Sequence, residues 1–456
     1  MAIKVVPQVS TPVLNKGQVF FVCVVHGGGA AKHGPGAIKV MGEIMVNEEV
    51  FAKFRALLAR VQKNSQFYQK KFKAAGFEIE DFKSPEDIAK LPFTTKEDLR
   101  ETYPLHIQAA PDEEIIRIHS SSGTTGLPVI IPYTARDVAD WAEMMCRCMQ
   151  FAGLTNKDRV QITPGYGLWT AGIGFQAGVE KLGAMAIPMG PGNTEKQIRM
   201  MIDLKATAFI ATSSYALLLA EEIYKRGLTQ EINLKKAIIG SERWGDKMRA
   251  RISAELGVEL YDIYGLTEIY GPGISINCAH DSGLHYWDDY FYFEIIDPQT
   301  GKNVPDGECG ELVITTLRKE GAPLIRYRTR DITRLLHGSC PCGRPYPRHD
   351  RISGRTDDMF KVKGVNMYPG QIDDVLHTVE GISSEYQIVL DRKDAKDSML
   401  LRFEKQAGFD GESLELAVKK RVKTKIGIVI DTEALSLGEL PRSEKKTARV
   451  IDNRYR

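Results

Sequence analysis

Apolar residues recur at helical spacing from Glu48 onward, where ordered structure is predicted to begin. The stripe consists of Val50, Phe51, Phe54, Leu57, Leu58 and Val61. Positions three and four residues apart share one face of a helix, so the stripe predicts an amphipathic entry helix. We interpret residues 1–40 as a disordered extension, or as the product of an upstream start codon with Met41 or Met45 as the true first residue. An apolar run there lacks a clear cleavage site, which disfavours a signal peptide.

Short β-rich runs alternate with helical runs in the middle of the chain. The β-rich runs cover residues 160–163, 184–188, 208–211, 236–239 and 259–263. This alternation predicts a mostly parallel sheet with helices on both faces. After Ile274 the pattern changes to β-rich segments interrupted by Gly and Pro, which predicts a second sheet or barrel.

The last hundred residues have a different pattern again. A helical run, 413–425, lies among short β-rich runs at 386–390, 398–403 and 428–431, after a charged stretch from Asp350 to Asp358. We therefore predict an α/β fold with two domains. A large domain over 41–353 has parallel sheets flanked by helices and a β-rich subdomain. The charged stretch at 354–358 then joins it to a small α+β domain over 359–456.

Composition and charge narrow the classes of partner. Hydrophobic residues make up 43% of the chain and charged residues 26%, which is typical of globular proteins. The formal net charge of +2 creates no overall electrostatic attraction for nucleic acid. No apolar run approaches the roughly 20 residues of a membrane helix. Seven cysteines, unevenly placed, indicate a reducing cytoplasm. We expect no nucleic-acid partner and no membrane partner, so anionic ligands need a local site.

One glycine- and hydroxyl-rich stretch is a candidate anion site. From His119 to Pro128 the sequence reads HSSSGTTGLP. Glycines let the backbone fold closely around an anion, and hydroxyls and successive N–H groups can donate to phosphate oxygens. The stretch lacks the lysine of a Walker loop, which disfavours a P-loop NTPase, and an ordinary turn remains the alternative. The candidate phosphate-binding residues are Ser121, Ser122, Gly123, Thr124, Thr125 and Gly126.

Ser122–Gly126 resembles the phosphate loop of adenylate-forming enzymes, and further motifs of that superfamily follow in the same order. They read GSERW at 240–244, YDIYGLTE at 261–268, YRTRD at 327–331, GRTDD at 354–358 and PRSEKK at 441–446. The words GYGL at 165–168 and GPG at 271–273 are similar to the phenylacetate-CoA ligase family in particular. The resemblance covers nearly everything after residue 45. Leu127 departs from it, because that family often has Lys there.

The resemblance implies an ATP-dependent ligase for a small aryl carboxylic acid such as phenylacetate. The acid is adenylated with release of pyrophosphate, and the acyl group passes to coenzyme A. ATP, Mg²⁺ and coenzyme A are the implied cofactors, and a homodimer is left open. The alternatives are an adenylating enzyme that uses a carrier protein or an amine as acceptor, and a catalytically silent nucleotide-binding relative.

Residue roles follow from the resemblance. Glu268 would hold Mg²⁺, and Thr267 would contact the α-phosphate. Lys446 would neutralise charge between the acid and the α-phosphate. Lys445 replaces the glycine usual before that lysine, so the choice between the two rests on register. On the sequence alone, Lys446 reads as part of a basic tail.

The resemblance also assigns the nucleoside contacts. Asp331 would accept hydrogen bonds from both ribose hydroxyls. Tyr264 would stack on adenine, and Asp262 would approach its amino group. Ser241 and Glu242 would line the edge of adenine, and Arg355 would lie close to the ribose or the α-phosphate. Gly265 is the remaining predicted nucleotide contact.

Two further residues are implied to serve the second half-reaction. Asp357 occupies the hinge position, where a few residues absorb the change in dihedral angles when the small domain turns. Gly364 would let pantetheine approach the acyl-AMP closely, with a glycine in a simple turn as the equal alternative.

Four thiol and imidazole side chains in the β-rich region suit tetrahedral zinc. They are Cys278, His285, Cys340 and Cys342, with His280 as the alternative histidine. Their spacing is not that of a standard zinc finger, so two buried thiols and a loop Cys-x-Cys remain the alternative. A structural rather than a catalytic ion is expected.

The acid pocket is predicted in the loop that follows the first parallel strand. Tyr166 and Trp169 supply aromatic surface, and Ala171 and neighbouring glycines supply space, the mixture expected for a flat acid. The alternative is an aromatic loop that only packs on the sheet.

Overall fold

The structure is a computed structural model that describes residues 48–121, 127–393, 396–442 and 449–454. The predicted extension, residues 1–40, lies outside the described residues. The apolar stripe lies on helix α1, as predicted, and buries Phe54, Leu57, Leu58 and Val61. The N-terminal elements are α1 (Glu48–Asn64), α2 (Gln66–Ala75), α3 (Lys96–Glu101) and a hairpin of β1 (Ile115–Ser120) and β2 (Ile130–Thr134).

A nine-stranded sheet forms the centre of the fold. Five strands run parallel: β3 (Arg159–Ile162), β4 (Met185–Pro188), β5 (Ala208–Thr212), β6 (Lys236–Gly240) and β7 (Glu259–Leu266). The helices that accompany them are α4 (Ala135–Phe151), α5 (Ala171–Leu182), α6 (Thr194–Asp203), α7 (Ser213–Lys225) and α8 (Asp246–Leu256). The alternation of strands and helices is the one that the sequence predicts.

The same sheet continues with antiparallel strands. These are β8 (Gly271–Asn277), β9 (Leu284–Tyr286), β13 (Leu335–Leu336) and β14 (Arg348–His349), in the order β13-β14-β9-β8-β7-β6-β5-β3-β4. Along β5, Ala208 and Ile210 belong to one core cluster, and Phe209 and Ala211 to another. Successive side chains of a strand point to opposite faces, so the sheet separates two cores.

A separate antiparallel sheet carries the β-rich subdomain. It has the order β10-β11-β12-β15 and contains β10 (Phe291–Ile296), β11 (Gly310–Thr316), β12 (Tyr327–Thr333) and β15 (Gly354–Arg355). The β-rich region after Ile274 therefore contributes strands to two sheets, because its first strands extend the central sheet.

The C-terminal elements enclose a third core. They are the hairpin β16 (Phe360–Val362) and β17 (Val365–Met367), helices α9 (Pro369–His377) and α10 (Gly411–Ile426), and strands β18 (Ile382–Lys393), β19 (Lys396–Lys405), β20 (Asp431–Leu435) and β21 (Val450–Asp452). This core draws all its members from Phe360 onward. The whole is the α/β fold predicted from the sequence. Among the described helices, none combines the length and apolarity needed to cross a membrane.

Candidate active site

Three residues from separate strands meet in one hydrogen-bonded group. Tyr264 on β7 donates its hydroxyl to Asp331 Oδ2 at 2.6 Å, and Arg355 Nη1 donates to Asp331 Oδ1 at 2.9 Å. Asp331 on β12 and Arg355 on β15 are also direct cross-strand partners. The structure therefore brings together three residues that the sequence predicts to contact the nucleoside.

Burial and hydrogen bonding shift the pKa values of Asp331 and Tyr264 in this group. Burial raises the pKa of Asp331, while Arg355 and the hydrogen bond from Tyr264 oppose that shift. Burial also raises the pKa of Tyr264 well above its ordinary value, so its hydroxyl remains a donor. Each oxygen of Asp331 receives one of these two bonds, and a carboxylate can accept further donors such as vicinal hydroxyls.

The predicted hinge residue is joined to this group. Arg355 donates to both oxygens of Asp357, at 2.9 and 3.1 Å. Arg330 donates to Asp357 at 3.3 Å and to Glu97 on α3 at 2.7 Å. One continuous network of charges thus joins helix α3, the group of Tyr264, Asp331 and Arg355, and the predicted hinge.

Glu268 lies just beyond the end of β7. Its side chain is buried, and Oε1 lies 3.0 Å from Nζ of Lys96 at the start of α3. The hydroxyl oxygen of the neighbouring Thr267 lies 3.4 Å from that of Thr170. A buried carboxylate of this kind suits Mg²⁺, which prefers carboxylate and phosphate oxygens. Lys96 was missed by sequence reasoning.

A second lysine lies inside the protein and contacts the loop that follows β7. Lys319 is fully buried, donates to the carbonyl oxygen of Ile269, and lies 4.4 and 4.6 Å from the ring centroids of Tyr133 and Tyr270. Burial lowers the pKa of Lys319 to about 7, and the nearby carboxylates Asp137 and Glu268 oppose that shift. Nothing in the local sequence distinguishes this lysine from a surface one.

Two predicted adenine contacts are engaged with other protein groups. Oε2 of Glu242 accepts hydrogen bonds from Ser213 Oγ at 2.8 Å and from Ser214 N and Oγ at 2.9 and 2.7 Å, at the N-terminus of α7. Asp262 pairs with Arg249 and accepts from Trp244 Nε1 at 3.2 Å. Their contacts with adenine remain predictions.

The other predicted nucleotide contacts are shaped by the backbone or lie outside the described residues. Ser241 adopts a positive φ of 71°. A side chain at Gly265 would collide with the carbonyl of Gly271, so only glycine permits the close pairing of β7 and β8 there. Ser121 N donates to Val129 O, and Ser121 Oγ accepts from Val129 N, each at 3.0 Å, at the base of the phosphate loop. Ser122, Gly123, Thr124, Thr125, Gly126 and Lys446 lie outside the described residues.

The predicted acid-pocket residues lie around the start of α5. The ring of Tyr166 packs against Gly172, and Trp169 packs against Gly165. Ala171 is buried as the first residue of α5. The hydroxyl of Tyr166 is buried and has no hydrogen-bond partner among the described residues, and burial raises its pKa to about 12. The contact of this loop with an acid remains a prediction.

Gly364 lies in a tight turn. It connects β16 and β17 together with Lys363, and both residues have positive φ values, 82° and 50°. Such a two-residue hairpin loop favours glycine without any ligand. The space around its α-carbon is open, so the alternative of a coenzyme A contact also stands.

The four predicted zinc ligands converge. Their ligand atoms all lie within 4.8 Å of one another. Sγ of Cys278, after β8, lies 3.6 Å from Sγ of Cys340, and Sγ of Cys342 lies 3.5 Å from Nε2 of His285 on β9. Nδ1 of His285 lies 3.0 Å from the carbonyl oxygen of Tyr346, a contact that leaves Nε2 to face the thiols. His280, the alternative histidine, is not part of this group.

Comparison with known proteins gives two family models and several relatives. The model for AMP-binding enzymes matches residues 46–317, and the model for the AMP-binding enzyme C-terminal domain matches residues 364–454. The chain is 41% identical over 410 residues to the phenylacetate-coenzyme A ligase of Escherichia coli (strain K12), covering 87% of this chain and 92% of the relative.

Solved structures of 2-hydroxyisobutyryl-CoA ligase are also similar. In its postadenylation state with 2-HIB-AMP, that enzyme superposes with a TM-score of 0.81 at 30% identity, covering 91% of each chain. In its thioesterification state with 2-HIB-AMP and CoA, the TM-score is 0.65 at 30% identity, covering 89% of each chain. The TM-score is therefore higher for the postadenylation state of that enzyme than for its thioesterification state.

Proposed function

Because the chain belongs to the phenylacetate-CoA ligase family of AMP-binding enzymes, we propose that it adenylates a small aryl carboxylic acid and transfers the acyl group to coenzyme A. The observation that carries the proposal is the group of Tyr264, Asp331 and Arg355 together with the buried Glu268. Helix α3 connects them, because Lys96 pairs with Glu268 and the next residue, Glu97, pairs with Arg330 of the same charge network. Together they offer a nucleoside-binding carboxylate and a carboxylate for a hard metal ion.

The first half-reaction joins two anions. A carboxylate oxygen of the acid attacks the α-phosphorus of ATP, the α–β phosphoanhydride bond breaks, and pyrophosphate leaves. Bound at Glu268, Mg²⁺ would neutralise charge on the phosphates. Asp331 binds the ribose hydroxyls, Thr267 contacts the α-phosphate, and Lys446 supplies a positive charge near the attacking oxygen. Lys96, beside Glu268, adds a cation that the family motifs did not reveal.

The second half-reaction uses the acyl-AMP. The sulfur of coenzyme A attacks the acyl carbonyl, the mixed anhydride opens, AMP leaves, and the thiol proton is lost to solvent. The proposal includes a hinge at 354–358 between a body over 41–353 and a small domain over 359–456. Support comes from the cores, since the third core begins at Phe360 and the two larger ones end before the hinge.

Acid-dependent ATP–pyrophosphate exchange with Mg²⁺ tests this proposal. We expect exchange with aryl acids such as phenylacetate and an indolic acid, and little with short aliphatic acids. Chromatography should then detect the aryl thioester after coenzyme A is added. Exchange without thioester would move the acceptor to a carrier protein or an amine. Absence of exchange with every acid would favour the silent nucleotide binder.

Two adjacent lysines provide matched controls for that assay. Lys446→Ala should lose exchange, because it removes the cation assigned to the transition state, whereas Lys445→Ala should stay near the wild type. The reverse result would assign the catalytic role to Lys445. Equal exchange in both variants would contradict a catalytic lysine in this motif.

The proposal also includes a structural zinc ion at Cys278, His285, Cys340 and Cys342. Three thiols and one imidazole with ligand atoms within 4.8 Å of one another would supply the four ligands of a structural zinc site. The group joins β8 and β9 to the loop before β14, so the ion would fasten this edge of the central sheet.

Metal analysis of the purified protein tests the zinc site. We expect about one zinc per chain, in line with a closed four-ligand site. Cys342→Ser should lose the metal and melt at a lower temperature, because a structural zinc contributes its binding energy to folding. Cys146→Ser, which removes a free thiol on α4, should retain the metal. Zinc-free wild-type protein that gains no stability from added zinc would refute the site.

A further inference from the structure

Arg442 lies between two carboxylates from different parts of the fold. Its Nε and Nη2 donate to Glu221 on α7 at 2.9 and 2.7 Å. Its Nη1 and Nη2 donate to Glu404 on β19 at 2.9 and 2.8 Å. The guanidinium is mostly buried and Glu404 is fully buried. These are two bidentate, charge-assisted pairs, the geometry for which a guanidinium is suited.

The two pairs have different neighbours. Glu404 also accepts a hydrogen bond from Leu440 N at 2.9 Å, and Arg442 Nη1 donates to Leu440 O at 2.9 Å. The Glu404 pair therefore holds Arg442 inside the C-terminal part of the chain. Glu221 belongs to α7, which packs on the central sheet, and also pairs with Arg251 at 2.7 Å. The Glu221 pair thus joins the C-terminal part to the large body.

Arg442 stands four residues before Lys446 in the sequence. Four residues of extended chain span at most about 14 Å between α-carbons, so the position of Arg442 limits how far away the chain at position 446 can lie. On the other side of this segment, Arg449 pairs with Glu385 on β18 at 3.0 Å, entirely within the C-terminal part. Of the two arginines that flank this segment, Arg442 is therefore the one that contacts the large body.

We propose that Glu221 is a positioning residue for the adenylation half-reaction, acting through Arg442. It holds the C-terminal part in the arrangement that brings Lys446 to the acid and the α-phosphate. The pair separates when that part turns for thioester formation. This inference rests on the proposed function. It agrees with the closer superposition on the postadenylation state, 0.81, than on the thioesterification state, 0.65, of the similar ligase.

The two half-reactions of Glu221→Gln, measured separately, test the inference. Exchange of pyrophosphate with ATP reports adenylation, and thioester formation from purified phenylacetyl-AMP and coenzyme A reports the second step. We expect exchange to fall by about tenfold or more, because truncating one partner of a buried charge pair costs that much. Thioester formation should stay at the wild-type rate or rise. Glu222→Gln is the matched control, because Glu222 pairs only one turn along the same helix, with Arg226 at 3.1 Å.

Each outcome has a distinct meaning. An equal loss of both half-reactions in Glu221→Gln, or no loss in either, would overturn the inference. Arg442→Lys provides a second variant, since lysine keeps the charge but cannot make both bidentate pairs, and it should show the same selective loss. If wild-type protein exchanges with no acid, the proposed function fails. If wild type exchanges and both variants match it, only the positioning role fails.

Discussion

Glu268→Gln is expected to lower acid-dependent ATP–pyrophosphate exchange by about 10²- to 10³-fold, the usual cost of removing one preorganised electrostatic group from an active site. Glutamine keeps the shape of the side chain but removes the charge that Mg²⁺ requires. It also leaves Lys96 without its buried carboxylate partner. Exchange should be measured over a range of Mg²⁺ concentrations, because a lost metal ligand raises the concentration needed for half-maximal rate.

Glu259→Gln is the control for this prediction. Glu259 lies at the start of the same strand, β7, is exposed, and its side chain accepts a hydrogen bond from the hydroxyl of Tyr261 at 3.0 Å. Its substitution should leave both the rate and the Mg²⁺ dependence unchanged. A Glu268→Gln enzyme with wild-type Mg²⁺ dependence would remove Glu268 from the metal site.

Lys96→Met separates two roles for the lysine that the sequence did not reveal. If Lys96 competes with Mg²⁺ for Glu268, its removal lowers the Mg²⁺ concentration needed for half-maximal exchange. If Lys96 instead contacts the phosphates, its removal raises KM for ATP. The second result would explain how the chain functions with Leu127 in place of the lysine common in the family, since Lys96 would supply the missing charge.

The ordered motifs singled out three residues that the structure brings together, and their contact with a nucleoside stays a prediction. Tyr264, Asp331 and Arg355 are far apart in sequence, and the pairing of β12 with β15 brings two of them face to face. The strand-helix alternation likewise predicted the parallel part of the central sheet. The alternation depends on local patterns, which a sequence displays directly, whereas the three site residues came from the resemblance of the motifs to a known family.

Features that depend on non-local pairing could not be predicted. Apolar runs at β8 and β9 indicate strands, but a run does not specify which sheet it joins, so their place beside β7 was missed. Lys96 and Lys319 look like ordinary lysines until the fold places them against Glu268 and its loop. Glu242 is the opposite case. Its motif predicts a contact with the nucleotide, but in the fold its carboxylate accepts a hydrogen bond at the N-terminus of α7.

A buried ion pair between Arg326 and Glu294 gives the largest expected effect on stability. Their side chains are 3% and 1% exposed, and two hydrogen bonds of 3.1 and 3.0 Å join them. Nη1 of Arg326 also donates to the carbonyls of Ala89 and Leu91, each at 2.9 Å, and so ties the N-terminal segment to the second sheet.

Arg326→Met is expected to lower the free energy of unfolding by about 3–5 kcal/mol, because it leaves a buried carboxylate without its partner. Burial raises the pKa of Glu294, and Arg326 opposes that shift in the wild type. Without Arg326 the folded pKa rises further above the unfolded value. The deficit should therefore shrink as the pH falls through and below the ordinary pKa of glutamic acid, where Glu294 becomes protonated in both the folded and the unfolded state, and grow as the pH rises.

Urea unfolding of Arg326→Met and Glu433→Gln, at mildly acidic and mildly alkaline pH, compares the loss of a buried ion pair with the loss of an exposed one. Glu433 pairs with Arg402 at 2.6 Å, but these side chains are 40% and 39% exposed, so its loss should cost no more than about 1 kcal/mol. Equal losses in the two variants would contradict a special role for burial. A deficit in Arg326→Met that does not change with pH would show that the cost comes from the lost backbone contacts of Ala89 and Leu91, rather than from the uncompensated charge of Glu294.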